Sequence, residues 1–217
     1  VSLVLSPKTF VAMSQAGILS DDGKCYAFDQ AAKGIVPSEA IACVVLKRLS
    51  QAELDGDAIY AVIKGSGVNY DGKTNGITAP GGQAQKALIE SVYTRYQINP
   101  EEIEHIVTHG TGTKLGDPVE VNALIDAYHG FTKKTGYSAL TSTKSNLGHA
   151  FAASGVVSLI SLVQSLRHAV IPASLHCSVE NTYINWETSP FYVNKTTRNW
   201  PSKKRVGAVS AFGMSGN

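Results

Sequence analysis

The chain has 217 residues, 43% apolar and 17% charged, with a formal net charge of +2. A charged share below the usual quarter, with 8 prolines beside 20 glycines, excludes a disordered or collagen-like chain and fits a globular α/β protein of one larger domain or two small ones. The charge argues against nucleic acid as the main partner, and the longest apolar stretch, Val156 to Val163, broken by Ser158 and Ser161, falls far short of the roughly 20 residues a membrane span needs.

At the N-terminus, Val1 is followed by no basic and apolar leader, so no signal peptide is expected and the chain reads as starting inside a longer polypeptide. Lys24 to Pro37 is polar and turn-rich. Ile41 to Leu49 is the continuous apolar run expected of a strand buried on both faces, and Asp55-Gly-Asp57 is a turn. Tyr60 to Val68 alternates well enough for a second strand, and Asn69 to Gly82 is a long glycine-rich loop of the kind that usually carries function.

Leu88, Val92 and Tyr96 form a helical stripe ending before Asn99-Pro100, and Ile103 to Thr108 reads as a strand. Asp117-Pro-Val-Glu120 predicts a helix start, with Asp117 as N-cap and Glu120 reaching back to it. Tyr137 to Thr143 is the next strand, and Ser154 to His168 is a helix apolar almost all round, hence expected to be buried. Phe191 to Asn194 and Arg205 to Ala211 complete an alternation of strands and helices, which implies a parallel sheet.

The placement of two histidines is the strongest chemical signal. His109 lies between a strand and the helix at Asp117, and His149 lies between the following strand and the helix at Ser154. Successive parallel strands point the same way, so both emerge at the carboxyl edge of one sheet, where α/β proteins place their sites. A pair of imidazoles there suits acid/base or oxyanion work; two unrelated loop histidines would give the same spacing. Around the first, Gly110 and Gly112 bring backbone close to a ligand, and Thr111 and Thr113 offer hydroxyls to an amide-bearing one. A phosphate cradle fails on spacing, since Gly110, Gly112 and Gly116 are not followed by Gly-Lys-Ser/Thr. A metal at His105 and His109 fails because positions four apart on a strand lie about 13 Å from each other.

Lys144 sits five residues before His149. At a buried site edge it would hold the imidazole neutral, and in a polar loop it would be a solvated cation. The segment Gly207 to Asn217 ends in a glycine turn around Met214, able to present a backbone N–H or simply to close a strand. Lys195, Arg198, Lys203, Lys204 and Arg205 read as a solvated basic face or, second, as a dock for an acidic partner, and Asn194-Lys-Thr196 matches a glycosylation acceptor by chance. Cys25, Cys43 and Cys177 are odd in number without paired spacing, which removes a disulfide framework and a zinc ribbon and favours a reducing, cytoplasmic setting.

Taken in order, His109-Gly-Thr-Gly-Thr113, Gly116-Asp-Pro-Val-Glu120, Lys144-Ser-Asn-Leu-Gly-His149 and Ser210-Ala-Phe-Gly-Met-Ser-Gly216 resemble the second half of a β-ketoacyl synthase of the thiolase-like fold, over the whole chain. Phe28-Asp29, Gly65 to Gly72, Asn75 to Pro80 and Ile171 to His176 are similar to ketosynthase domains of modular polyketide synthases, above all those served by a separate acyltransferase. The resemblance implies a layered α-β-α-β-α fold: residues 1–48 ending the first thiolase-like half, 49–82 a connecting strand and loop, and 83–217 the second βαβαβ half. It also implies decarboxylative Claisen condensation of an enzyme-bound acyl chain with malonyl-acyl carrier protein. A fatty-acid synthase of the same fold and a non-condensing chain-holding module are the alternatives.

Carried over by motif, His109 and His149 promote decarboxylation and stabilise the enolate, Lys144 supports them, and Thr111 and Thr113 bind the phosphopantetheine arm. Phe212, Gly213 and Met214 lie in the gating loop, with the Met214 N–H in the oxyanion hole. The implied partners are an acyl carrier protein, the upstream half of the same ketosynthase and a second copy in a homodimer; no cofactor or metal is implied beyond the carrier's own phosphopantetheine. Three departures stand out. The family's Asp-Thr-Ala-Cys nucleophile motif is absent, Phe151 stands where many relatives have glutamate, and Gly216 runs directly into Asn217 where relatives interpose threonine.

Overall fold

The computed structural model describes residues 1–74, 80–213 and 216. Its elements in chain order are α1 (Pro7–Gln15), α2 (Leu49–Leu54), α3 (Gly82–Arg95), β1 (Ile103–Val107), α4 (Gly116–His129), β2 (Ser138–Thr141), α5 (Lys144–Leu147), α6 (Ser154–His168), β3 (Val170–Ile171), β4 (Phe191–Val193), β5 (Arg198–Asn199) and β6 (Val206–Val209). Four strands form a parallel sheet in the order β4-β2-β1-β6, and β3 and β5 pair antiparallel beside it.

The pleat divides the side chains between two faces. Ile106, Leu140 and Val193 join Tyr93 of α3 and Val121, Leu124, Ile125 and Tyr128 of α4 in one core. Their strand neighbours Val107 and Ala139 turn the other way, to Leu162 of α6, Ile171 and Trp200. On that side Gly207 lets the helix approach: a Cβ there would lie 2.5 Å from Leu162 Cδ1 and 2.8 Å from the His105 carbonyl oxygen. The register sets Ile106 opposite both Leu140 and Ala208, so β1 is the central strand and its carboxyl end lies between those of β2 and β6.

Three expectations change. Ile41 to Arg48 and Tyr60 to Val68 are not strands: neither joins a ladder among the described residues, and Val45 is 93% exposed. Their β-branched pattern suits a sheet, but backbone donors and acceptors make a strand only beside a partner. Leu49 opens α2 instead of closing a strand. α6 has the expected span, yet its buried face is Ser154, Ser158, Leu162 and Ser165, while Val156, Val157, Leu159, Ile160 and Val163 are only half-buried. Small residues at that spacing let the helix lie close to the sheet, leaving its larger apolar side chains outward.

The polar segment 24–37 does more than turn. Cys25, Ala27, Phe28 and Ile35 enter the core, and the Phe28 amide and carbonyl are both used, by the Asp117 carboxylate at 2.8 Å and the Asn181 amide at 2.8 Å. This buried irregular stretch forms the floor of the loop that carries His109.

Candidate active site

β1 ends at Val107, and Thr108 still holds β2, donating from its amide and hydroxyl to the Thr141 carbonyl at 2.9 and 3.1 Å. The chain then turns sharply, with positive φ at Gly110 (+40°) and Gly112 (+71°); a side chain at Gly112 would start 2.9 Å from Cys25 Sγ. Two buried carboxylates of α4 hold this loop. Glu120 accepts the amides of His109 at 2.7 Å and Gly110 at 2.8 Å, and Asp117 accepts those of Gly112 at 3.1 Å and Phe28 at 2.8 Å. Asp117 is therefore not an N-cap: the cap position is Leu115, no side chain caps the helix, and both acids face the preceding loop. Buried amides need acceptors, and these two carboxylates supply them. Burial raises the pKa of both carboxyls, that of Asp117 to about 6, against the pull of the amides.

The second half of the site hangs from β2. Ser142 Oγ donates to the Gly110 carbonyl at 2.6 Å and accepts the Lys144 amide at 3.2 Å, tying the two loops together. Lys144 opens the short α5, is buried, and donates from Nζ to the His109 carbonyl. Burial lowers its pKa, and attraction to Glu120, Cys25 and Asp117 opposes that. Gly148 (φ +79°) swings the chain back, and His149 is clamped by its amide to the Val36 carbonyl at 2.6 Å and by its carbonyl to the Ser38 amide at 3.0 Å.

The two imidazoles meet at the sheet edge, ring centroids 5.4 Å apart at 85°. His109 Nδ1 accepts the Phe212 amide at 3.3 Å and His149 Nδ1 accepts the Phe151 amide at 3.0 Å. An Nδ1 that accepts leaves the ring proton on Nε2, so both neutral rings present Nε2–H donors. Neither Nε2 has a hydrogen-bond partner among the described residues. Burial, reinforced by the Lys144 charge, lowers His109 to about 2 and His149 to about 4, so both are neutral at pH 7.

The other anticipated residues fall around this pair. Thr111 and Thr113 lie part-buried with hydroxyls 3.1 Å apart. Phe212 packs on His109 with centroids at 5.2 Å, and Gly213 accepts the Gly216 amide at 3.1 Å. Met214 lies outside the described residues, as do residues 75–79 of the long loop. That loop is nevertheless pinned at its base: Asp71 accepts the Gly81 amide at 2.9 Å and donates its own to the Gly216 carbonyl at 2.7 Å. His105 turns from the site to Thr141 Oγ1 at 2.8 Å. Asn194 is buried, donating to the carbonyls of Pro172 and Thr196, which is incompatible with a glycan. The basic stretch is largely engaged: Lys195 pairs with Glu180 at 2.7 Å, Lys204 with Glu102 at 2.5 Å, and Arg205 donates to the Leu166 carbonyl.

Cys25 and Cys177 are buried and their thiols pushed up to about 12 by burial; Cys43 is exposed. Among the described residues no cluster of histidine, cysteine and carboxylate groups could hold a metal, and no helix is long and apolar enough to cross a membrane. Glu120, Asp117 and Ser142 are the structural parts of the site that motif reading assigned elsewhere or passed over. Asp117, Glu120, Val121 and Leu124 share one helix face by spacing, so the apolar stripe itself marks both acids as buried.

The parallel sheet, carrying two imidazoles together at its carboxyl edge, is an α/β arrangement of the thiolase-like class. The chain belongs to the β-ketoacyl synthase family: residues 60–178 match its C-terminal domain and residues 1–52 its N-terminal domain. It is 51% identical over its whole length to the polyketide synthase ThaG of Burkholderia thailandensis and 48% identical to PksM of Bacillus subtilis, covering 4% and 5% of those proteins. It superposes on the ketosynthase from module 6 of the bacillaene synthase of Bacillus subtilis with a TM-score of 0.96 at 44% identity, covering 99% of this chain and 39% of that one. The chain thus spans a small part of the relatives it matches.

Proposed function

We propose that this chain is the C-terminal part of a ketosynthase domain in a modular polyketide synthase, of the type served by a separate acyltransferase, and that the complete domain performs decarboxylative Claisen condensation. In this reading residues 1–48 end the first thiolase-like half, 49–82 connect, and 83–217 form the second half. The pair of neutral imidazoles, centroids 5.4 Å apart with both Nδ1 atoms occupied by backbone amides, carries the reading. A malonyl thioester that loses carbon dioxide leaves an enolate whose oxygen needs fixed donors in a dry site, and two Nε2–H groups supply them. The enolate carbon then attacks the acyl thioester, forming the carbon–carbon bond and expelling the cysteine thiolate.

Lys144 keeps both rings neutral and draws the His109 loop toward α5. Thr111 and Thr113 face the amides of the phosphopantetheine arm, Phe212 and Gly213 belong to the gating loop, and Met214 contributes its amide to the oxyanion hole. The nucleophile lies outside this sequence in this reading, because the family's Asp-Thr-Ala-Cys motif is absent from it and Cys25 and Cys177 are buried. The domain works in the cytoplasm as a homodimer, with an acyl carrier protein as partner and no resident cofactor. The polyketide synthase relatives favour this setting over a fatty-acid synthase, and retention of His109 favours it over a chain-holding module.

The test is His109→Ala in the full ketosynthase. Removing a positioned oxyanion donor costs about 2.7–4 kcal/mol, so condensation should fall at least ~100-fold. Acyl-enzyme formation, followed by mass spectrometry, should persist; normal product formation would overturn the assignment.

A further inference from the structure

Four rings stand in a row at the carboxyl edge of the sheet: Phe212, His109, His149 and Phe151, with successive centroids 5.2, 5.4 and 5.0 Å apart. The first two contacts are tilted or edge-on. The last is nearly parallel, Phe151 lying over His149 at 22°. Phe151 is also held at φ +43°, a left-handed conformation that a phenylalanine avoids and a glycine would adopt without strain. Its amide donates to His149 Nδ1 at 3.0 Å, and its carbonyl accepts Ser154 Oγ at 2.8 Å, so both ends of the residue are fixed. Any residue but proline would supply that amide. Only a planar side chain supplies the stacked face, and strain retained in such a place points to a use for it.

We propose that the Phe151 ring is a positioning residue for His149, locking the imidazole plane so that Nε2–H keeps its aim, and shielding the ring face from water and carboxylates. This rests on the condensation reading above. Backbone clamps at Val36 and Ser38 fix the His149 main chain but leave its ring free to turn about Cβ–Cγ. The Phe151 amide on Nδ1 holds one edge of the imidazole, and the near-perpendicular His109 ring and the stacked Phe151 ring hold its plane against the remaining rotation. The charged group acting on His149 is the Lys144 ammonium, and the titratable group in ring contact with it is His109. An apolar ring at position 151 adds no anion to favour imidazolium.

The experiment uses the full ketosynthase with Phe151→Leu, Phe151→Trp and Phe151→Glu, beside His109→Ala. Acylation is read by mass spectrometry, and condensation as kcat and KM for the malonyl carrier across pH. Phe151→Leu keeps the apolar volume and loses the stack; its condensation kcat should fall about five- to tenfold, in line with the worth of one ring pair, with KM and acylation unchanged. Phe151→Trp should restore the rate. Phe151→Glu should move the acid limb of the profile to higher pH, because a carboxylate beside the ring favours its charged form. Wild-type kcat in Phe151→Leu, or a loss shared equally by acylation and not rescued by tryptophan, overturns the proposal. If His109→Ala abolishes condensation while Phe151→Leu keeps the wild-type kcat, this inference alone fails; if His109→Ala condenses normally, the underlying reading fails with it.

Discussion

His109 and His149 stand edge to face, centroids 5.4 Å apart, and each ring surrenders its Nδ1 to a backbone amide, from Phe212 and Phe151 respectively. The arrangement is symmetric in chemistry although the rings hang from different strands. Each is left with one proton-bearing nitrogen, and both are kept neutral by burial and by the Lys144 cation.

The pH dependence follows from that neutrality. An ordinary histidine gains its proton near pH 6.5, but burial and the Lys144 charge lower His149 to about 4 and His109 further. Protonation would set Nδ1–H against the Phe151 or Phe212 amide, donor against donor, so activity should fall only on the acid side. Two acid steps are expected in the full enzyme: a loss between neutrality and about pH 5 as the raised Glu120 and Asp117 carboxyls take up protons and slacken the His109 loop, and a further decline below about pH 5 as the rings charge. Lys144→Ala removes the cation that disfavours imidazolium and should move that limb upward. A wild-type limb at the ordinary histidine value that Glu120→Gln leaves unmoved would show that the rings are open to solvent.

Glu120 offers a test of the scaffold. Its two carboxylate oxygens accept the amides of His109 and Gly110, and glutamine can accept only one of them while aiming its NH2 at the other. Leaving one buried amide unmatched costs about 1–3 kcal/mol. Glu120→Gln should therefore lower the melting temperature, and condensation should suffer more than acylation because the His109 loop shifts. An unchanged melting temperature would mean that water restores the lost acceptor.

The legible and illegible parts of this molecule divide along a physical line. β1, β2, β4 and β6 and the spans of α3 and α6 were readable from local β-branching and periodicity, although α6 buries its small residues and α3 leaves Tyr96 of its stripe exposed; both histidines were placed by strand direction alone. Ile41 to Arg48 and Tyr60 to Val68 have strand chemistry but no ladder among the described residues, since pairing is a property of neighbours. The fault at Asp117 has another cause: a helix-start pattern and a loop-holding carboxylate use the same residue types, and the competing amides at Phe28 and Gly112 are remote in sequence or hidden in a turn. Phe151 could be seen as a departure from the family, but its stacking on His149 needed coordinates.

Thr111 and Thr113 place two hydroxyls 3.1 Å apart on the loop after His109. Replacing both by valine keeps the branched shape and deletes the polar contacts. The expected outcome is a raised KM for the malonyl carrier, about 5- to 30-fold if each hydroxyl contributes the usual 0.5–1 kcal/mol or slightly more, with little change in melting temperature. An unchanged KM over a carrier concentration series would make these threonines structural. A loss of stability would point to their contact with Asp117, which Thr111 reaches at 3.5 Å.

The cysteines give the last prediction. A thioester-forming cysteine needs thiolate character and access, and neither Cys25 nor Cys177 has them. Cys25 is buried under the Gly112 turn, and its thiol is pushed up to about 12 by burial and by Asp117, against the pull of Lys144. Cys177 is likewise raised to about 12 by burial. Cys43 is exposed and lies on the stretch that joins no ladder among the described residues. When the full ketosynthase is incubated with an acyl thioester and digested, the acyl group should map to a cysteine outside residues 1–217, and Cys25→Ala, Cys43→Ser and Cys177→Ala should each acylate normally. Iodoacetamide under native conditions should modify Cys43 ahead of Cys25 and Cys177. Stoichiometric acyl transfer to any of the three would place the nucleophile inside this chain and require a different route for the malonyl-derived enolate.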